Sequence, residues 1–250
     1  MASTKKGPVV AALIDPEDFN PKQAAETAAK AIGAGAALIL VGGSTLANQA
    51  RLNAVVRGIK RHMESRSGHR KSHQAPVVLF PGNITGVSRY ADAILFSSLL
   101  NSTNPYFIVG AQALGAVEVY QSKIESIPMA YLVFGNSSAT SFIGQVNSLP
   151  TSRPNLAAIY ALAAAYLGMR TLYLEAGSGS GEPIPQETIR AVRKVYPGML
   201  IVGGGIISAE TALRAAKAGA DVIVTGNLLQ KSAFETPLRQ ITQTLMKLRR

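Results

Sequence analysis

Short apolar runs alternate along this chain with Ala-rich segments of helical spacing. The runs are Val9–Ile14, Ala37–Val41, Val77–Phe80, Ala93–Phe96, Met129–Phe134, Thr171–Glu175, Leu200–Gly203 and Val222–Thr225. Most are continuously hydrophobic rather than alternating, the pattern of parallel strands covered on both faces. Between them the spacing predicts helices over Pro21–Ala34, Leu46–Glu64, Pro105–Tyr120, Asn155–Leu167, Pro185–Val195, Ala209–Ala218 and Leu228–Leu248, with a short piece at Val87–Tyr90. Eight strand–helix units in 250 residues match the size and rhythm of a TIM (β/α)8 barrel, an α/β fold. A doubly wound open sheet is the alternative. No linker or composition shift divides the chain, so residues 1–250 are expected to form one domain, with a short tail over 1–7 and a basic exposed loop over 65–75.

In such a barrel the chemistry sits where strands end and the following loops begin. The unusual residues fall there. Asp15-Pro16-Glu17-Asp18 ends the first run, Gly42-Gly43-Ser44 the second and Pro81-Gly82-Asn83 the third. Glu175-Ala176-Gly177-Ser178-Gly179 ends the sixth, Gly203-Gly204-Gly205 the seventh and Gly226-Asn227 the eighth. The last two loops precede predicted helices near Ser208 and Leu228, so their free N–H groups and the helix dipoles favour an anion. Loops after the seventh and eighth strands commonly hold phosphate in barrels.

Glu175 closes an otherwise apolar strand beside that phosphate site, where it suits substrate hydroxyls or base chemistry. Across the mouth, the Asp15 carboxylate and the Ser44 hydroxyl suit Mg²⁺, which takes few protein oxygens and completes its shell with water and substrate phosphate. Ser44 also reads as the cap of the helix after the second strand. Pro105-Tyr106-Phe107, Gly135-Asn136-Ser137-Ser138 and Ala-rich walls lie between the two regions. A monophosphate held by amides would then face a metal-neutralised phosphate beside an apolar groove.

Composition narrows the classes. Zero cysteines exclude a disulfide scaffold, a thiolate nucleophile and a Cys-ligated metal. No window approaches the roughly 20 apolar residues of a membrane span, and Val9–Ile14 is too short for a secretory core, so a soluble, cytoplasmic protein is expected. The net charge of +11 concentrates at Lys60–His73, which holds all three histidines, and at Lys247-Arg249-Arg250. Nucleic-acid binding would interleave aromatics with those charges, and there are none, so nucleic acid is not an expected partner. A metal site on the histidines would need a fixed element to converge them. A basic face toward an anionic membrane surface stays open.

The chain resembles the geranylgeranylglyceryl phosphate synthase family of archaea and its bacterial heptaprenylglyceryl relatives. The resemblance rests on Leu13-Ile14-Asp15-Pro16, Val41-Gly42-Gly43-Ser44, Phe80-Pro81-Gly82-Asn83, Tyr90–Phe96, and Ser98-Leu99-Leu100-Asn101-Ser102 with Asn104-Pro105-Tyr106. It continues through Ile127–Tyr131, Tyr173-Leu174-Glu175-Ala176-Gly177-Ser178-Gly179, Val202–Ile206 and Val224-Thr225-Gly226-Asn227. It implies a barrel that joins sn-glycerol 1-phosphate to geranylgeranyl diphosphate and releases diphosphate. It assigns Mg²⁺ to Asp15 and Ser44, and glycerol phosphate to Tyr173 through Gly179, Gly204, Gly205, Gly226 and Asn227. It also implies a homo-oligomer. The departures are Glu17-Asp18 where the family usually has Asp-Lys, a Trp-less Ser141-Phe142-Ile143-Gly144 segment, and a longer basic stretch at Ser65–His73. A phosphate-binding isomerase or aldolase is the rival enzyme class, but no Lys or His closes any predicted strand. A basic RNA-binding or membrane-surface protein without catalysis is the non-enzymatic alternative.

Overall fold

A computed structural model describes residues 7–45, 48–67, 75–135, 138–177 and 182–248. Its strands are β1 (Val9–Ile14), β2 (Leu38–Val41), β3 (Val77–Leu79), β4 (Ala93–Leu99), β5 (Glu125–Val133), β6 (Thr171–Glu175), β7 (Met199–Gly203) and β8 (Val222–Thr225). They pair in parallel in sequence order, and β8 returns to β1, closing the barrel. The helices are α1 (Pro21–Gly33), α2 (Gln49–Ser67), α3 (Ala111–Ser122), α4 (Ala139–Ile143), α5 (Pro154–Tyr166), α6 (Gln186–Val195), α7 (Ala209–Ala218) and α8 (Glu235–Met246).

Local chemistry sets these boundaries. Asn20 and Gln23 exchange side-chain and backbone hydrogen bonds to start α1, with Pro21 preset for the first turn. Ser208 and Thr211 do the same for α7, which ends on Gly219 in the left-handed region. Below the barrel, Asp221 accepts from the Leu200 N–H and pairs with Arg193 of α6 at 3.0 Å, fixing where β7 and β8 begin.

Alternation along each strand splits the core into two layers. Ala11, Leu40, Val78, Tyr131, Tyr173 and Ile201 fill the barrel interior. Val10, Ile39, Val77, Leu132, Leu172 and Leu200, one residue off in each strand, pack against the helices. The same parity decides the mouth. Asp15 continues the inward series Ala11–Leu13, and Glu175 continues from Tyr173, so both carboxylates end up over the interior.

Several expected boundaries move. β4 runs on to Leu99, and β5 begins at Glu125 because its exposed polar start carries no apolar signal. The expected helical piece at 87–90 is not helical; a 3₁₀ turn over Ile84–Gly86 precedes it and a single turn closes at Ser88–Ala91. Pro105–Tyr120 becomes a π turn at Tyr106–Gly110 followed by α3. The helix expected from Leu228 is a 3₁₀ turn at Asn227–Gln230 and then α8. Residues 65–67, assigned to the basic loop, continue α2, since charge alone does not break a helix; residues 68–74 of that loop, and tail residues 1–6, lie outside the described residues. Among the described residues, no helix is long and apolar enough to cross a membrane.

Leu132, fully buried between sheet and helices, is expected to cost about 2–5 kcal/mol when cut to Ala. Removing the α7 cap with Ser208→Ala should cost about 1 kcal/mol. Urea unfolding of the two variants reads the difference; equal small losses would contradict the layer assignment.

Candidate active site

Two cavities open at the C-terminal rim of the strands, and they share the wall formed by Leu13, Asp15 and Glu175. The smaller, about 770 Å³ including its open mouth, lies over β6 to β8. Tyr173, Glu175, Gly204, Gly205, Gly226 and Asn227 line it, joined by Ile206, Thr225 and Gln230. Among the described residues, no protein group takes up the N–H of Gly204, Gly205, Gly226 or Asn227. Gly204 has φ +80°, and a Cβ there would lie 2.6 Å from Glu175 Oε1. Thr225 Oγ1 donates to the Ile206 carbonyl at 2.9 Å and ties the two loops together. The result is a cradle of N–H donors, the expected form of a phosphate site, with the Asp15, Asp18 and Glu175 carboxylates also in the cavity lining.

The larger cavity, about 1110 Å³ including its mouth, starts at Asp15, Gly43 and Ser44 and runs between β4 and α3. Its far wall is mostly apolar, built of Val87, Ile94, Phe96, Ala111, Gly115 and Val119, with Ser97 and Gln112 as its polar members. A Cβ on Gly43 would fall 2.0 Å from Asp15 Oδ2, so the carboxylate rests against the loop after β2, next to Ser44. Asp15 Oδ1 accepts from the Glu17 N–H at 2.9 Å. Burial raises its carboxyl above the ordinary 3.8, and the neighbouring Asp18 and Glu17 charges add to that rise. Arg51, which donates to the Pro16 and Glu17 carbonyls, opposes it.

Ser44 does not cap α2. Asn48 accepts from the Arg51 N–H in that position, and the Ser44 hydroxyl instead meets Thr140 Oγ1 at 2.6 Å. The reason is the loop length, which starts α2 at Gln49 rather than near Leu46. Among the described residues no group of three or more His, Asp or Glu side chains converges as a metal cluster. The donor set at Asp15 and Ser44 is one carboxylate and one hydroxyl, hard oxygens that fit a partly hydrated Mg²⁺ rather than a softer ion.

Glu175 sits between the cavities and is 5% exposed. Burial pushes its carboxyl above the ordinary 4.5, while Tyr173 and the Gly177 N–H, 2.8 Å from Oε1, pull it back. The buried Tyr173 hydroxyl feels this carboxylate without reaching full hydrogen-bond geometry to it. Phe80, Tyr131 and Tyr173 pack with ring centroids 5.1 to 5.3 Å apart beside it, an aromatic floor that sequence reading missed. Thr140 from α4 is a further addition, while Tyr106, expected between the two regions, stands behind the lining and donates to Asn83 Oδ1 at 2.6 Å. A Ser138–Ser141 capping pair marks α4 in the sequence, but its five residues show no periodicity.

Some expected contacts fall elsewhere. Leu174 points away from the mouth into the helix-facing layer, as its parity demands, and Ala176 packs in the same layer. Gly177 serves Glu175 rather than the cavity wall. Ser178 and Gly179, like Asn136 and Ser137, lie outside the described residues.

A family model described as the PcrB family matches residues 4–245. The chain belongs to the PcrB family. Its relatives include geranylgeranylglyceryl phosphate synthase of Cenarchaeum symbiosum, 50% identical over 226 residues and covering 90% of this chain and 87% of that one. The enzyme of the same name from Methanothermobacter thermautotrophicus is 47% identical over 232 residues, covering 92% and 90%. The crystal structure of (S)-3-O-geranylgeranylglyceryl phosphate synthase from Thermoplasma acidophilum, in complex with sn-glycerol-1-phosphate, superimposes with a TM-score of 0.90 at 37% identity, covering 98% and 95%.

In this PcrB-family chain, Gly204→Ala both strains a left-handed backbone and drives a methyl toward Glu175. It is expected to weaken binding of a phosphomonoester in the cradle at least ten-fold while leaving the far-ultraviolet circular dichroism unchanged. Calorimetric titration with a small phosphomonoester measures this; unchanged affinity would remove Gly204 from the site.

Proposed function

We propose that the protein joins sn-glycerol 1-phosphate to geranylgeranyl diphosphate, forming the first ether bond of an archaeal-type membrane lipid and releasing diphosphate. The observation that carries this is the shared wall: an amide-lined cradle and a long apolar groove meet at Asp15 and Glu175. The cradle suits a phosphomonoester, and the groove suits a prenyl chain whose diphosphate lies at the mouth.

The Gly204, Gly205, Gly226 and Asn227 amides hold the glycerol phosphate and aim its free 3-hydroxyl at the junction. The C1–O bond of the prenyl diphosphate breaks, its electron pair leaving with diphosphate. The glycerol oxygen bonds to C1, and its proton passes to Glu175. Burial raises the proton affinity of Glu175 and so suits it to that task. Asp15 and Ser44 are the residues to hold Mg²⁺, which when bound supplies positive charge to the departing diphosphate. Neither cavity wall carries a Lys or His among the described residues, which leaves a Schiff-base aldolase or a His-driven isomerase without its reacting group.

A homo-oligomer is part of the same reading. The outer face of α5 exposes Leu156, Ile159, Tyr166 and Leu167, and its sequence from Asn155 to Met169 carries no charge. That face suits a second copy of the chain. Replacing Ile159 and Tyr166 by Arg should lower the mass seen by light scattering to that of one chain; an unchanged assembly mass would place the contact elsewhere.

The reaction is tested with labelled sn-glycerol 1-phosphate, Mg²⁺ and prenyl diphosphates of graded length. A solvent-extractable labelled product is expected, and none at any length would contradict the reading. Glu175→Gln should lower kcat by roughly 10²-fold or more. In the wild type, the rate should fall on acidification at a pH above the ordinary glutamate value of 4.5, because a raised proton affinity removes the base form earlier. The part of that limb set by Glu175 should vanish in the variant, leaving the part set by Asp15, whose carboxyl burial also raises. Asp15→Ala should abolish the response to added Mg²⁺.

A further inference from the structure

Helix α3 is apolar on two sides. Ala111, Gly115 and Val119 look into the larger cavity. On the other side Leu114, Val117 and Tyr120 are 66%, 61% and 85% exposed. The one charge in the helix, Glu118, is engaged by Gln49 at the start of α2. The segment at 84–90 runs between the two helices, with the Val87 carbonyl accepting from Gln49 at 3.0 Å.

Three arginines gather at the end of that segment. Arg57 and Arg61 lie one turn apart on α2, and Arg89 belongs to the segment itself. The Arg57 and Arg89 guanidinium carbons stand 5.1 and 5.2 Å from the Tyr90 ring centre, and Arg89 donates to the Tyr90 hydroxyl at 3.2 Å. That hydrogen bond, followed by the charges of Arg89, Arg57 and Arg61, holds the phenol below its ordinary 10.0. Among the described residues none of the three arginines is paired with a carboxylate; the adjacent acid, Asp92, is taken by Lys60 at 2.6 Å. Like charges one helical turn apart repel, so the cluster is complementary to an anion outside the chain. Guanidinium groups suit phosphate in particular.

We infer that α3 and this arginine cluster form the face by which the protein docks on an anionic membrane surface, with lipid phosphates at Arg57, Arg61 and Arg89 and with Leu114, Val117 and Tyr120 entering the headgroup boundary. The inference rests on the proposed prenyl transfer, because the hydrocarbon groove to be filled and emptied lies directly beneath the same helix. The α5 face carries single arginines at its two ends, Arg153 and Arg170, and no such cluster among the described residues, which is why a membrane is assigned to α3 and a second copy to α5. Amphipathic surfaces of this composition bind by apolar burial plus attraction to acidic lipid.

Flotation with vesicles of phosphatidylglycerol and phosphatidylcholine in equal parts tests it, against vesicles of phosphatidylcholine alone. The full-length protein should float with the acidic vesicles and be released by salt. Each Arg→Ala change at 57, 61 and 89 should lower partitioning about five-fold, and Leu114→Ser with Val117→Ser should lower it further. Arg190→Ala with Lys194→Ala, on α6, should not. Equal flotation of the triple arginine variant, equal binding to neutral vesicles, or a smaller assembly mass in its place would overturn the inference. Transfer of a short, water-soluble prenyl diphosphate should be unchanged in the triple variant. Loss of that transfer in the wild type would instead sink the proposed reaction, leaving vesicle binding to be judged by itself.

Discussion

Closing eight parallel strands on one another forces every strand to end at the same rim. Each strand interior must be apolar on both faces, since one lies in the barrel and the other under helices. Polar chemistry is therefore displaced to the last residue of a strand or the loop beyond it. Asp15 and Glu175 are the two inward-facing carboxylates at strand ends, and strand alternation alone brings them to one mouth. Glu175 lies opposite Gly203 in the β6–β7 register. A Cβ there would fall 2.0 Å from the Tyr173 hydroxyl, so the missing side chain makes room for that tyrosine beside the carboxylate.

From that constraint the division of labour follows. On one side, two loops are built from glycine so that the backbone itself forms the surface, and four N–H groups are left for a phosphate. On the other, the layer between β4 and α3 is lined with small and apolar residues instead of being packed solid. The boundary between the two is a buried carboxylate over an aromatic floor, a place where water is scarce and charge is strongly felt. In the proposed reaction, bond making and bond breaking belong at such a boundary, because each substrate would be held from its own side by parts that do not take part in the chemistry.

Much of this was readable in the chain. The strands were legible as continuous apolar runs, and the glycine clusters at the seventh and eighth of them, which line the smaller cavity, were visible too. The first and last residues of elements were less so. β5 starts on exposed polar residues, and α4 is too short to show a period. What could not be read were contacts across long sequence distances. Ser44 reads as a cap because Ser is good at capping, yet its hydroxyl meets Thr140, 96 residues away. Leu174 reads as part of a binding motif, yet parity turns it outward. The aromatic floor joins Phe80, Tyr131 and Tyr173 from three strands, and no local pattern announces it. The arginines around Tyr90 come from a helix and a loop whose proximity is set by the barrel, so the sequence shows only their charge.

Prenyl transfer at this mouth requires a phosphomonoester and a diphosphate to occupy adjoining cavities at once. A crystal structure with sn-glycerol 1-phosphate and an unreactive thiolo analogue of geranylgeranyl diphosphate tests this most directly. The phosphomonoester should lie on the Gly204, Gly205 and Asn227 amides, the diphosphate at Asp15 and Ser44, and the glycerol 3-oxygen about 3–3.5 Å from C1. Mutually exclusive binding in one cavity, or a prenyl chain running away from α3, would contradict it.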